Sequence, residues 1–181
     1  MNRRIVYNGF FKVEIIETPQ GEREVVRATD SVTILFYNLS NQSVLLIREP
    51  RAPMITNKNP DGSTIGNVAG RFDIDISPRA LVVKEAKEEA GIIIEESDVI
   101  LLNHGQSLAV NSGMTNEKCY LAFAVISDAM FEQPERIFGN QEEGERIERI
   151  WLTKEQFKEY QPECLRVFTL QQWFLNQETF Q

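Results

Sequence analysis

The sequence predicts a mixed α+β fold. Short aromatic and β-branched runs read as strands, one helix is punctuated at both ends, and strands precede and follow it without regular strand-helix alternation. Its 181 residues, 42% of them hydrophobic, suffice for one substantial core with a small extension. Lys and Arg number 19 against 27 Asp and Glu, net −8, which disfavours a general nucleic-acid binder. Small anionic ligands stay open if a cation or a few arginines invert the field locally. Cys119 and Cys164 lie far apart without metal-like spacing and read as reduced thiols, Cys119 in a strand core. The opening MNRRIVYNGFF lacks the apolar run and small-residue cleavage site of a secretory signal, and nowhere are there about 18 uninterrupted apolar residues. A cytoplasmic protein that does not engage a membrane is the expectation.

In chain order, residues 1–29 form a first unit. "YNGFFKVEIIET", the turn "PQGE" and "REVVRA" read as a β-hairpin, which is marginal alone and must pack on the main domain or on a second subunit. Residues 30–181 form the main domain. Val32–Tyr37 and Ser43–Arg48 are strands whose near-continuous apolar runs suit burial on both faces. Residues 52–68, rich in Pro, Asn, Asp and Gly, form a loop long enough to be functional. Ser77 fits a helix N-cap and Pro78 the first helical position, where its missing N–H costs nothing. Ile76 and Leu81 occupy the positions of a hydrophobic staple, and Gly91 ends the helix. "GIIIEE", "DVILLNHGQSLA", "KCYLAFAVIS" and "ERIERIWLT" supply further strands, and a helix or helix pair broken at Pro162 closes the chain. Trp151 and Trp173 read as core, and His104 as structural.

The helix carries Glu85, Glu88 and Glu89, which are i,i+3 and i,i+4 neighbours able to project to one side. Two such charges about 5 Å apart at an effective dielectric near 20 repel by roughly 3 kcal/mol. Either the face is solvated and screened, with Lys84 and Lys87 interspersed, or a hard divalent cation sits among the carboxylates. The crowding lies at the helix C-terminal end, where the macrodipole already disfavours negative charge. That position, and a glycine just upstream in "VAGRFD", favour the cation without excluding the solvated face.

Gly70 to Ile92, "GRFDIDISPRALVVKEAKEEAGI", resembles the Nudix box, G-x5-E-x7-R-E-U-x-E-E-x-G-U with U aliphatic. Gly70, Glu85, Glu88, Glu89, Gly91 and Ile92 fall in register, with Ala86 at the intervening U. Two positions depart from it: Ile76 stands where the first glutamate belongs, and Lys84 where the arginine belongs. Flanking stretches are similar to the ADP-ribose and nucleoside diphosphate sugar pyrophosphatase branch: "VLLIREPRAP", "VAGRFD" and "NSGMTNE".

The resemblance implies an α/β/α sandwich of Nudix type with an N-terminal antiparallel β extension that dimerises. It implies hydrolysis of the diphosphate bond of nucleoside diphosphate sugars, ADP-ribose or a nucleotide hexose, to a nucleoside monophosphate and a sugar phosphate. Carried over by position, Glu85 and Glu89 would bind Mg²⁺ or Mn²⁺, with the Ala69 carbonyl as a backbone donor and Glu88 as a further ligand or water anchor. Glu117 would complete the site as general base or metal contact, together with Glu88 the expected catalytic pair. Arg48 and Arg51 would hold phosphate, and Gly70, Lys84 and Gly91 are motif positions. The run Glu142, Glu143, Glu145 is either a solvated loop or a reach into the metal site. The departures at Ile76 and Lys84 motivate a second possibility, a nucleotide-sugar-binding regulator with impaired catalysis. A third is a Nudix hydrolase of another nucleotide.

Overall fold

The computed structural model of the chain describes residues 2–132, 137–139 and 146–177. The run at Glu142, Glu143 and Glu145 lies outside the described residues. The N-terminal unit is a three-stranded antiparallel sheet, β1 (Arg3–Asn8), β2 (Lys12–Thr18) and β3 (Gly21–Arg27), paired in the order β1-β2-β3. The expected hairpin was thus one strand short. Asn8-Gly9 turns the chain between β1 and β2, which pair antiparallel where a single strand was expected.

The main domain is built around a mixed sheet. Its strands are β4 (Ser31–Asn38), β5 (Ser43–Pro50), β6 (Ser63–Gly66), β7 (Val68–Arg71), β8 (Ile100–Leu101), β9 (Leu108–Ala109), β10 (Lys118–Ile126), β11 (Ile137–Phe138) and β12 (Ile147–Thr153). The main path runs β11-β12-β5-β4-β10-β8, with β6 on β5, β7 on β4 and β9 on β10. β10 runs parallel to β4, and the other pairings are antiparallel. Among the described residues, α1 (Pro78–Ala90) covers one face of the sheet, and α2 (Lys154–Glu159) and α3 (Leu165–Leu175) cover the other.

Side-chain alternation divides the central strands between two cores. Val32, Ile34 and Phe36 of β4 join Leu45 and Ile47 of β5 against Leu81, Val82, Ala86 and Ala90 of α1. Leu35 and Tyr37 join Val44 and Leu46 against Phe157, Val167, Leu170 and Phe174 of the terminal helices. Every residue of β4 is buried, as its unbroken apolar run foretold. This is an α/β/α sandwich, and Trp151 and Trp173 pack on its two cores.

Local chemistry ends α1 where the sequence says it should. Ser77 Oγ accepts from the Ala80 N–H at 2.9 Å, and Pro78 starts the helix. Gly91 closes it in the left-handed region, φ 61°, and a Cβ there would also strike the Phe138 ring at 2.5 Å. Between residues 92 and 109 the expected strands shrink to two-residue pieces, β8 and β9, around turns at Glu96–Asp98 and Asn103–Gly105. The apolar run Ile92–Ile94 serves the core by alternate burial rather than by sheet pairing, apart from a single bridge of Ile92 to Phe131. The loop at 52–68 is likewise shorter than expected, because β6 and the first residue of β7 lie within it.

The small sheet is tied to the main domain at its β3 edge. The Val26 N–H donates to the Met114 carbonyl at 2.9 Å, and the Asn116 amide bonds the Ala28 backbone in both directions. Arg71 lies over the rings of Phe11 and Phe10 at 4.7 and 5.7 Å. Ile5, Val6 and Tyr7 remain exposed, and Phe10 is 87% exposed.

Candidate active site

The site forms where α1 crosses β7. Helical spacing turns Glu85 and Glu89 inward with Leu81, Val82 and Ala86, leaving them 8% and 6% exposed, while Glu88 points outward. β7 opposes them with "AG". The Ala69 N–H donates to Glu89 Oε2 at 3.0 Å. A Cβ on Gly70 would sit 2.2 Å from the Glu85 carboxyl group, so the absent side chain is the cradle in which that carboxylate lies. Lys84 bridges the helix surface, 2.8 Å from Glu88 Oε2 and 3.4 Å from Glu85 Oε1.

Burial pushes Glu85 up to about 7, with Lys84 opposing and Glu88 and Asp73 adding to the rise. Burial pushes Glu89 up to about 8. The Ala69 N–H lowers it, Glu49 and Glu85 raise it, and Arg51 lowers it. Two carboxylates have therefore been taken out of water side by side, answered within the fold by one backbone N–H and an off-centre lysine.

Strand parity separates the two arginines. On β5, Leu45 and Ile47 face α1, so Glu49 falls on that face and Arg48 on the opposite one. Arg48 pairs with Glu148 at 3.1 Å on the α2/α3 face, within electrostatic reach of Tyr160. Arg51 lies just past the end of β5 and donates to Glu49 Oε1 at 2.5 Å. Of the two, Arg51 is the one placed with the helix glutamates.

Glu117 is also on the far face. It stands directly before β10, is 9% exposed, and accepts from Ser31 Oγ at 2.8 Å and from the Arg166 guanidinium at 2.7 Å. Arg166 belongs to α3. The expectation that Glu117 joins Glu85 and Glu89 is thus not met in this arrangement, because residue 117 shares the parity of Ser31 and Cys119. The glutamate has instead become half of a buried ion pair. Ala69 meets Glu89 through its N–H, and its carbonyl remains an expectation as a metal donor.

A hard divalent cation fits the chemistry on the α1 face: carboxylate oxygens, buried, only partly compensated, and cradled by a glycine. Among the described residues, no group of three or more His, Cys, Asp or Glu side chains is already arranged to hold one. Glu49 is a further carboxylate on the α1 face of the sheet. Its signal was present in "REPR", where period-two alternation sends Glu49 to the face opposite Arg48. Arg166 carried no such signal, since its partner is 49 residues away. His104 is exposed at φ 54° in the Asn103–Gly105 turn, Cys119 is buried in β10, and neither meets the glutamates.

No protein-family model matches the chain. A GDP-mannose pyrophosphatase of Enterobacter sp. strain 638 is 36% identical over 113 residues, 62% of this chain and 56% of that one. One from Yersinia enterocolitica is 42% identical over 73 residues, 40% of this chain and 38% of its own length. The chain thus spans about half the length, or less, of these curated relatives. A crystal structure of an ADP compounds hydrolase superposes with TM-score 0.66 at 17% identity, covering 98% of this chain and 94% of that one. The α/β/α architecture is therefore a known one, and the relatives that share sequence with this chain are named as pyrophosphatases of a nucleotide sugar, the class that the resemblance of residues 70–92 implies.

Proposed function

We propose that this chain, related to GDP-mannose pyrophosphatases and folded like an ADP compounds hydrolase, hydrolyses the diphosphate bond of nucleoside diphosphate sugars. The products would be a nucleoside monophosphate and a sugar phosphate. The observation that carries the reading is the pair of buried carboxylates, Glu85 and Glu89, pressed against the Ala69-Gly70 backbone, with Lys84 at 3.4 Å from Glu85 as the salt-bridge partner seen among the described residues. Burying such charge is costly unless a counter-charge arrives.

Glu85 and Glu89 would hold Mg²⁺, or Mn²⁺ in its place, from the floor of the site, with the Ala69 carbonyl as a further oxygen. When bound, the cation neutralises diphosphate oxygens and lowers the pKa of a water. The Ala69 N–H fixes one oxygen of Glu89, which orients the remaining one. Arg51 presents a planar fork suited to phosphate oxygens. Glu88, exposed beside Glu89 and held by Lys84 at 2.8 Å, would accept the water's proton. Glu117 would take that part only after leaving Arg166 and Ser31, a rearrangement of the 110–117 loop that substrate would have to drive. Arg48 would contact substrate only from the opposite sheet face.

The N-terminal sheet supports a homodimer, since Ile5, Val6, Tyr7 and Phe10 are left uncovered. A monomer in solution, measured by light scattering, would refute it. No described helix is long and apolar enough to cross a membrane. We place the activity in the cytoplasm on the reduced reading of Cys119 and Cys164, both free.

Incubation with Mg²⁺ and a panel of nucleoside diphosphate sugars, including GDP-mannose and ADP-ribose, tests the proposal. Release of both phosphorylated products is expected, and release of neither from any panel member overturns it. The impaired-regulator alternative draws on Lys84, which sits between two of the site's carboxylates. Measurable turnover rules it out.

A further inference from the structure

We infer that Asn116 is a positioning residue: its side-chain amide keys the loop that carries Glu117 to the N-terminal sheet, so that loop and sheet open together. Any departure of Glu117 from Arg166 is then conditional on the N-terminal sheet. This rests on the proposed hydrolysis only where Glu117 is given a part in it.

A strand register continues past the end of the main sheet. Ser31 of β4 pairs in parallel with Cys119 of β10, 88 residues on, and Ala28–Asn116 and Asp30–Lys118 keep that spacing outside the ladder. At Val26 the register slips by one residue, since Val26 bridges Thr115 and donates to the Met114 carbonyl at 2.9 Å. Next to the slip, side chains stand in for peptide groups. An amide side chain offers both a donor and an acceptor, as a peptide does. Asn116 Oδ1 accepts from the Ala28 N–H at 3.1 Å, and its Nδ2 donates to the Ala28 carbonyl at 2.9 Å. Asp30 Oδ1 accepts from the Lys118 N–H at 3.0 Å. An aspartate at 116 would keep only the acceptor, and an alanine neither.

Behind this key the loop is bonded to itself. The Val110 N–H donates to the Glu117 carbonyl at 3.1 Å and closes the loop at its base, while the Met114 and Thr115 N–H groups share the Asn111 carbonyl at 3.0 and 2.9 Å. The Glu117 N–H reaches Thr115 Oγ1 at 3.2 Å. A loop closed in this way moves as a body. Glu117 is its last residue, and the residues on either side of it are pinned to the segment that leaves the small sheet, Asn116 to Ala28 and Lys118 to Asp30. Bringing Glu117 to the α1 face therefore requires that Asn116 lets go of Ala28 or that the small sheet moves with the loop. These bonds are exposed, so each is weak, which suits a joint that opens better than a permanent core contact.

Amide hydrogen exchange on the full chain, without metal or substrate, tests the joint from a distance. Gly21 opens β3 at φ 103°, and a Cβ there would meet only Arg23 Nη1 at 3.7 Å, so Gly21→Ala strains that turn and loosens the small sheet at its far end. In the parent chain exchange should speed severalfold in β3 and by a similar factor at Val110 and Thr115, whose bonds lie wholly inside the loop. Asn116→Ala should by itself speed the loop about tenfold, the scale of two lost hydrogen bonds, and Gly21→Ala added to it should then speed β3 alone. Asn116→Asp, which retains the acceptor for Ala28, should fall between parent and alanine. If Gly21→Ala quickens β3 in the parent and leaves the loop unmoved, sheet and loop are not joined. Equal quickening of the loop in both backgrounds means that the coupling bypasses Asn116, and either result overturns its role. Should Gly21→Ala unfold the small sheet, Thr18→Val is the milder change at the same turn, removing the Oγ1 bonds to the Gln20 N–H and the Gly21 carbonyl, with the same outcomes expected. Absence of turnover overturns the proposed hydrolysis and leaves these exchange rates untouched, so the two failures are distinguishable.

Discussion

Glu89 and Glu117 sit on opposite faces of one sheet, 6% and 9% exposed, and have opposite surroundings. Glu117 is held by the Arg166 guanidinium and the Ser31 hydroxyl, both donating to its Oε1, partners supplied by the fold. Glu89 has one backbone N–H, a neighbouring carboxylate, and a screened arginine that is already engaged with Glu49. Burial alone therefore does not mark a functional carboxylate. What marks Glu89 is burial without a salt-bridge partner among the described residues, which suits its environment to a cation.

The sharpest way to break that comparison is to neutralise each acid in turn. Glu89→Gln should lower turnover of a nucleoside diphosphate sugar by at least about 10²-fold, the scale of removing one electrostatic contact to a transition state. Its melting temperature without metal should hold or rise, since a buried charge has gone. Full activity in this variant would sink the metal mechanism.

Removing the partner of the other acid should do the reverse. Arg166→Met leaves Glu117 buried and unpaired. Breaking a fully buried pair costs about 3–5 kcal/mol, and the 29% exposure of Arg166 reduces that to about 2–3 kcal/mol. Urea denaturation would read it as a lowered midpoint with an unchanged slope. No change would show that Glu117 is solvated rather than clamped.

Proton linkage gives a third contrast. Burial raises Glu85 to about 7 and Glu89 to about 8, above the ordinary carboxylate range. The folded chain then binds protons that the unfolded chain has released. Stability without metal should accordingly be highest at acid pH near the unfolded carboxylate value and decline as pH rises through about 7 to 8. Saturating Mg²⁺ should flatten the decline, and Glu89→Gln should remove much of it. A melting temperature that climbs over the same interval contradicts the only partly compensated burial of these two groups.

The smallest expected effects are local. Gly70→Ala sets a methyl 2.2 Å from the Glu85 carboxyl, whose flexible end can shift. Melting should barely change, while metal affinity falls by about 10-fold. Ser31→Ala removes one donor to Glu117 and should cost about 1–2 kcal/mol, visible in denaturation but not in Mg²⁺ binding.

How much of this was legible depends on the distance over which each feature is encoded. Ser77, Pro78, Ile76, Leu81 and Gly91 act within one helical turn of their own positions, so α1 was readable to the residue. The inward turn of Glu85 and Glu89 follows from helical period once Leu81, Val82 and Ala86 are recognised as core. β4 and β5 were legible because burial on both faces leaves an unbroken apolar run. The N-terminal unit has one strand more than the expected hairpin: Asn8-Gly9 is itself a turn dipeptide, but the aromatic and β-branched residues on both sides of it read as one continuous run. The expected strands between 92 and 109 shrink because "GIIIEE" buries only Ile92 and Ile94 in the α1 core and pairs through a single bridge to Phe131.

By itself the sequence determined the two-faced core, the capped helix, and a register of glycines and glutamates that only a helix beside a close-packed strand can use. These are set by periods of 2.0 and 3.6 residues and by backbone angles, which act locally. The tertiary structure alone decided which charges meet. It put Glu49 and Arg51 with Glu89, sent Arg48 to Glu148, and gave Glu117 to Arg166, because electrostatic partnership depends on which strands and helices become neighbours. Motif spacing records no such adjacency across 49 or 100 residues.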